Sequence, residues 1–111
     1  MNTIEQTDEF ETWLDNLADT VAQKTIAREI VKMQGGLFGD VKHIEGKVWE
    51  KRIDMGPGYR LYYKRNGSTL YLLLCGGTKR RQQADIDEAL KLSKRDDDEN
   101  DDDGDDNGQS I

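Results

Sequence analysis

The sequence predicts a small α+β domain in which two N-terminal helices pack on a small curved antiparallel sheet, followed by a short C-terminal helix and a disordered acidic tail. Three observations carry that expectation. Two stretches near the N-terminus have apolar residues at helical spacing, and residues 48–75 hold extended, alternating runs separated by glycine turns. The last 16 residues are almost devoid of apolar side chains. Thr7 is placed to cap the first helix, whose opening turn carries Asp8 and Glu9 at the positive end of its dipole. Phe10, Trp13, Leu14 and Leu17 then follow at i, i+3, i+4 and i+7. Thr20 and Gln23 have the spacing of a capping box, and Ile26, Ile30, Met33 and Leu37 mark the buried face of a second helix ending at Gly35-Gly36. Its other side presents Lys24, Arg28 and Lys32, a stripe that reads as a solvated face.

A polar, Gly-rich loop containing His43 leads to an extended segment at residues 48–54, and Gly56-Pro57-Gly58 turns it into a hairpin. The next strand, residues 59–65, puts Tyr59, Leu61 and Tyr63 on one face and Arg60, Tyr62 and Lys64 on the other. Asn66-Gly67 is a two-residue hairpin signal. The strand beyond it, residues 69–75, is apolar on both faces, which predicts a central position, and Gly76-Gly77 is expected to end it. Residues 83–94 suit a short closing helix, and residues 2–6 are a candidate edge strand. With all helices assigned to one face, the other face of the sheet is expected to be the open one.

Charge and composition limit the function classes. The chain has 111 residues and a net charge of −7, but the signs are segregated. Residues 1–23 hold six acids and no base, whereas residues 24–82 hold 13 bases against five acids. Residues 96–111 hold nine acids and no base. That composition predicts a domain over residues 1–95 and a disordered tail over 96–111, because the tail has too little apolar area to offset its ordering entropy. No apolar run approaches the roughly 20 residues of a membrane span. The acidic N-terminus lacks the features of a signal peptide, so a cytoplasmic protein is expected. One Cys, Cys75, and one His leave no set of ligands for a closed zinc site, and no metal or cofactor is expected.

The chemistry-bearing feature is a cationic cluster: Lys79, Arg80 and Arg81 after the last strand, with Arg52 and Arg60 on its neighbours. Guanidinium forks and ammonium groups suit a phosphodiester backbone, and Tyr62 and Tyr71 could stack on unpaired bases. Glu50 and Asp54 are within reach of Arg60 as surface partners.

The stretch from Gly39 to Ala89, together with the helix that begins FETWLDNL, resembles the RelE/ParE toxin superfamily in its HigB-like branch of addiction-module killer proteins. The carrying motifs are GDVK at residues 39–42, WEKRI at 49–53, GPGYR at 56–60 and LLLCGGTKRRQQADI at 72–86. The resemblance implies a RelE-like fold and a bacterial type II toxin that cuts messenger RNA on the ribosome and is silenced by a cognate antitoxin, for this branch a HigA-like helix-turn-helix protein. It places Arg60 and Lys79 in the cleft that holds the scissile phosphate and Arg52 on the strand that supplies further basic residues; Arg80 and Arg81, which stand where the family usually has small hydroxylic residues, are expected with Tyr62 and Lys64 as RNA contacts. It implies metal-independent chemistry, in which a ribose 2′-hydroxyl attacks the adjacent phosphate. The family's closing-helix Tyr has no counterpart here, so the general base is open among Asp85, Tyr62, His43 and no group of ordinary pKa at all, and His43 reads as an exposed loop residue outside the site. A ParE-like inhibitor of DNA gyrase and a non-enzymatic binding member are the alternative readings.

Overall fold

The computed structural model describes the backbone of residues 1–109 and the side chains of residues 1–100. The chain opens with a strand, β1 (Thr3–Gln6), and continues through α1 (Asp8–Asp15), α2 (Thr20–Gln34), β2 (Asp40–Glu45), β3 (Val48–Ile53), β4 (Tyr59–Asn66) and β5 (Leu70–Thr78). A 3₁₀ turn (Lys79–Arg81) leads into α3 (Gln82–Gln109). The strands form one sheet in the order β1-β5-β4-β3-β2. β1 runs parallel to β5 and the other pairs are antiparallel, so the sheet is mixed.

The expected arrangement is therefore corrected, although the fold is α+β overall. The first element is the edge strand put forward at residues 2–6, but it pairs parallel with β5, so the helices are not N-terminal and the sheet is not wholly antiparallel. The C-terminal helix is the longest element rather than a short one. Residues 82–109 form one helix, so the acidic stretch expected to be disordered continues α3; its side chains from residue 101 on, and residues 110 and 111, lie outside the described residues. The helices also cover both faces of the sheet. Phe10, Ala22, Ile26, Ile30 and Met33 from α1 and α2 pack on Ile53, Tyr59, Leu61, Tyr63, Tyr71 and Leu73. On the opposite face Ile86, Ala89, Leu90 and Leu92 of α3 pack on Val48, Tyr62, Leu74 and Cys75. The second face is thus a core, not an open surface.

Local chemistry explains these elements. Thr7 caps α1 by accepting from Phe10 N at 3.0 Å, and its hydroxyl donates to Leu74 O at 2.6 Å, which ties the β1–α1 corner to β5. At α2 the cap is Asp19, whose Oδ1 accepts from Val21 N and Ala22 N, and not the expected Thr20. Gln23 is then free to reach back and donate to Leu14 O and Asp15 O at the end of α1. Residues 40–45, expected as loop, are strand β2, with a register shift between His43 and Glu45. β5 does not end at Gly76-Gly77 but runs through them to Thr78. A register shift against β4 between Tyr62 and Tyr63 leaves Leu74 extra, so Leu74 and Cys75 both turn to the α3 side. Cys75 is buried as expected, and burial, then the charges of Asp85, Glu88 and Glu9, push its thiol up to about 12.

α3 is fastened by ion pairs at its middle. Arg95 meets Glu9 of α1 in a bidentate contact, Nη1 to Oε2 at 2.7 Å and Nη2 to Oε1 at 2.9 Å. The hydrogen bond from Arg95, then Glu9's own backbone N–H, hold the Glu9 carboxyl at about 2 against an ordinary 4.5. A depressed carboxyl contributes stability that is complete above the unfolded value and is lost as pH falls through the folded one. The expected result is that Arg95→Gln flattens the fall in Tm between pH 4.5 and pH 2 relative to the parent protein. Thermal melts across that window check it, and parallel curves for the two proteins would refute it. The slope that remains in the variant belongs to Glu29, held down by Lys32 and Lys51, and to Asp97, held down by Lys64.

Candidate functional site

Where β3 and β4 meet the 3₁₀ turn, the surface forms a cleft of about 230 Å³ lined by Asp40, Arg52, Ile53, Asp54, Gly58, Tyr59, Arg60 and Lys79. Three elements each bring one of the cations Arg52, Arg60 and Lys79 to it. Arg52 and Arg60 are register partners on β3 and β4, so their side chains leave the sheet on the same face. Lys79 arrives through the turn at residues 56–58. Its backbone N–H donates to Gly58 O at 2.8 Å, and Gly58 has φ +80°, a left-handed conformation that favours glycine. A Cβ on Gly58 would also lie 3.3 Å from Lys79 Cβ, so the missing side chain lets the two segments close up.

The cations differ in how they are held. Arg52 Nη2 donates to Asp40 Oδ1 at 3.0 Å on the rim, and its buried Nε has no hydrogen-bond partner among the described residues. Arg60 is deeper. Its side chain is 11% exposed and Nη1 donates to Glu50 Oε1 at 3.1 Å, while Glu50 itself is fully buried. This is the pairing the sequence allows, placed inside the protein and not on its surface. Lys79 is exposed, as are Arg80 and Arg81 beside it.

Tyr62 and Lys64 do not join the cleft, and neither offers a free surface to RNA. Alternation places them on the Arg60 face, but α3 covers that face and both are 0% exposed. Tyr62 Oη donates to Glu50 Oε2 at 3.0 Å. Burial, then the Glu50 charge and the hydrogen bond to it, push the phenol far up, which also removes Tyr62 as a general base. Lys64 Nζ donates to Asp96 at 2.7 Å, Asp97 at 2.5 Å and Ser93 O at 3.2 Å. Tyr71, the other stacking candidate, is buried against Phe38 and Tyr63.

The remaining base candidates are also outside the cleft lining. His43 packs against Trp49 with ring centres 5.0 Å apart and the rings tilted by 58°, and its Nε2 lies 2.7 Å from Gly46 O. Asp85 lies across from Gly77 at the start of α3. Burial raises its carboxyl, Arg81 works against that and Glu88 adds to it, and Asp85 Oδ2 is buried without a hydrogen-bond partner. The carboxylates that do line the cleft, Asp40 and Asp54, were not singled out from the sequence as chemistry. Asp40 had a usable signal in its place within GDVK, but only its pairing with the Arg52 strand shows where it points.

Fold and cleft together define a small α+β protein with a cleft at one end of a mixed sheet, lined by three cations and two carboxylates. No family model matches the chain. An uncharacterized protein of Haemophilus influenzae is 41% identical over 85 residues, which cover 77% of this chain and 86% of that relative. The chain belongs to one family with that protein. No helix among the described residues is long and apolar enough to cross a membrane.

Proposed function

We propose that this protein is the toxin of a type II toxin–antitoxin pair and acts as an endoribonuclease on messenger RNA in the ribosome, in the manner of the RelE/ParE superfamily it resembles. The observation that supports the reading is the convergence of Arg52, Arg60 and Lys79 on one cleft. Cleavage by the neighbouring 2′-hydroxyl forms a bond from that oxygen to phosphorus and breaks the bond to the 5′-oxygen, leaving a 2′,3′-cyclic phosphate and a 5′-hydroxyl that takes up a proton. Negative charge builds on the nonbridging oxygens as the 2′-oxygen adds, and fixed positive groups act most strongly there. Arg60, held from behind by Glu50, is the best fixed of the three. Lys79 is an exposed charge of the cleft lining, and in this scheme Arg80 and Arg81 extend the positive surface along the RNA. The proton acceptor for the 2′-hydroxyl in this scheme is a cleft carboxylate, Asp40 or Asp54, or solvent.

The test is induced expression in bacteria with primer extension on an abundant message. New ends within translated regions are expected. They should be lost in Arg60→Ala, and Lys79→Ala should weaken cleavage by about 10²-fold, the scale of one lost transition-state donor. Lys79 is the cleaner of the two changes, since it is exposed and its removal strands no buried partner. Growth arrest with intact messages and DNA damage would replace this reading with gyrase inhibition, and no growth effect would leave a binding module.

A further inference from the structure

We infer that Glu50 is the positioning residue of the cleft, the group that sets Arg60 and the Lys79 turn in one fixed relation; the inference rests on the reading of the cleft as an RNA-cleaving site. Glu50 is fully buried and collects three hydrogen bonds from two separate segments of the chain. Arg60 Nη1 donates to Oε1 at 3.1 Å, Tyr62 Oη to Oε2 at 3.0 Å and Gln82 Nε2 to Oε2 at 2.9 Å. Arg60 and Tyr62 belong to β4. Gln82 is the first residue of α3 and directly follows the turn that carries Lys79, Arg80 and Arg81. One carboxylate therefore fastens the cationic turn to the strand that carries the deepest arginine.

Stability alone is a poor account of this arrangement. Burying a carboxylate and a guanidinium costs desolvation on both, and apolar replacements of such pairs are often neutral or stabilising. What the pair does achieve is geometry. Tyr62 is the register partner of Glu50 and Arg60 is its diagonal neighbour, so the sheet holds the strand side of the clamp rigid. The carboxylate orients the Arg60 fork while leaving it at the cleft wall, and it partly offsets the Arg60 charge in the ground state. Substrate phosphate then meets an arginine that is already placed, and the interaction grows as charge accumulates in the transition state.

The experiment compares Glu50→Gln and Gln82→Ala with the parent protein on ribosomes programmed with a defined message, measuring kcat and KM separately and Tm alongside. Glu50→Gln keeps the shape and one accepting oxygen but turns the other into an N–H donor, so Arg60 and Gln82 can no longer both be accepted by the one side chain. We expect kcat to fall by about 10²-fold, the effect of a misplacement near 1 Å, with KM changed by less than about twofold. Gln82→Ala, which removes a half-buried amide and leaves the Arg60 pair in place, should lower kcat by roughly tenfold with the same split. In an Arg60→Lys background Glu50→Gln should add little, because the two act as a unit. Unchanged kcat in a folded Glu50→Gln, or full additivity with Arg60→Lys, would overturn the inference while the nuclease reading stands. If Glu50→Gln does not fold, parental kcat in Gln82→Ala overturns it. A parent protein that cuts nothing overturns the nuclease reading and this inference with it.

Discussion

Replacing Asp96 and Asp97 together by Ala lowers the unfolding free energy by about 2–3 kcal/mol, less than the 3–5 of a fully buried broken pair because both carboxylates keep some contact with water. The cause is Lys64. Its ammonium is 0% exposed, beneath α3, and among the described residues its one other partner besides the two aspartates is Ser93 O. Burial alone would lower that ammonium, but the hydrogen bonds to Asp96 and Asp97 outweigh it and raise it. Without them the cation is left uncompensated at the sheet face. Lys64→Met in the same background should restore most of the loss, since a thioether of similar length needs no partner. Chemical denaturation of the three proteins checks both statements. A double variant as stable as the parent would mean that the helix beyond Arg95 adds nothing to the fold.

That prediction also shows why the end of the chain was misread. Residues 96–99 are all acidic, and by local criteria such a run cannot order itself. Its partners are distant: Asp97 meets Lys47 on the β2–β3 turn as well as Lys64 on β4. Nothing in the tail's own composition announces a buried lysine 32 residues earlier. The same nonlocality hid Glu50. In sequence it is one polar residue among three on a strand with charged side chains on both faces, and its burial follows only once α3 is long enough and placed to roof its face.

Where the signal is local, the reading was close. The Thr7 cap, the Phe10–Leu17 stripe and the alternation of β4 all follow from spacing within a few residues, and the structure has Tyr59, Leu61 and Tyr63 on the α1/α2 face. β2 escaped because its irregularity breaks the alternation: Val41 packs toward α2 and Ile44, three residues on, toward α3. In the cleft, Arg52, Arg60 and Lys79 are legible as a cationic cluster from their places on neighbouring strands, only their catalytic role resting on the resemblance, and the structure brings them together. Tyr62 and Lys64 were placed on the correct face but taken to be accessible, which required that face to be bare. It is roofed by α3.

Gly76 is the second position where a single change should have a large effect. Glycine pairs inside a sequence usually mark the end of a strand, yet Gly76 and Gly77 continue the β5 ladder opposite Leu61 and Arg60. Their missing side chains are used by neighbours on opposite faces. A Cβ on Gly76 would overlap the six-membered ring of Trp13, and one on Gly77 would overlap the Asp85 carboxyl. The Asp85 carboxyl belongs to a half-buried side chain at the start of α3 that can turn about a single torsion. Trp13 cannot do so cheaply, because it packs against Phe10 with ring centres 5.6 Å apart and edge-on against Tyr59 at 6.3 Å. Gly76→Ala should therefore destabilise by about 2–3 kcal/mol, the range of an overpacked core, and more than Gly77→Ala. Trp13→Leu removes the blocking ring. In that background Gly76→Ala should cost much less, a coupling that denaturation of the four proteins in the cycle would measure. Equal costs in the two backgrounds would show that backbone entropy at residue 76, not the Trp13 ring, selects glycine there. The location gives the result a functional edge as well: Gly76 sits two residues before Thr78, so a displaced β5 shifts the turn that carries Lys79 into the cleft.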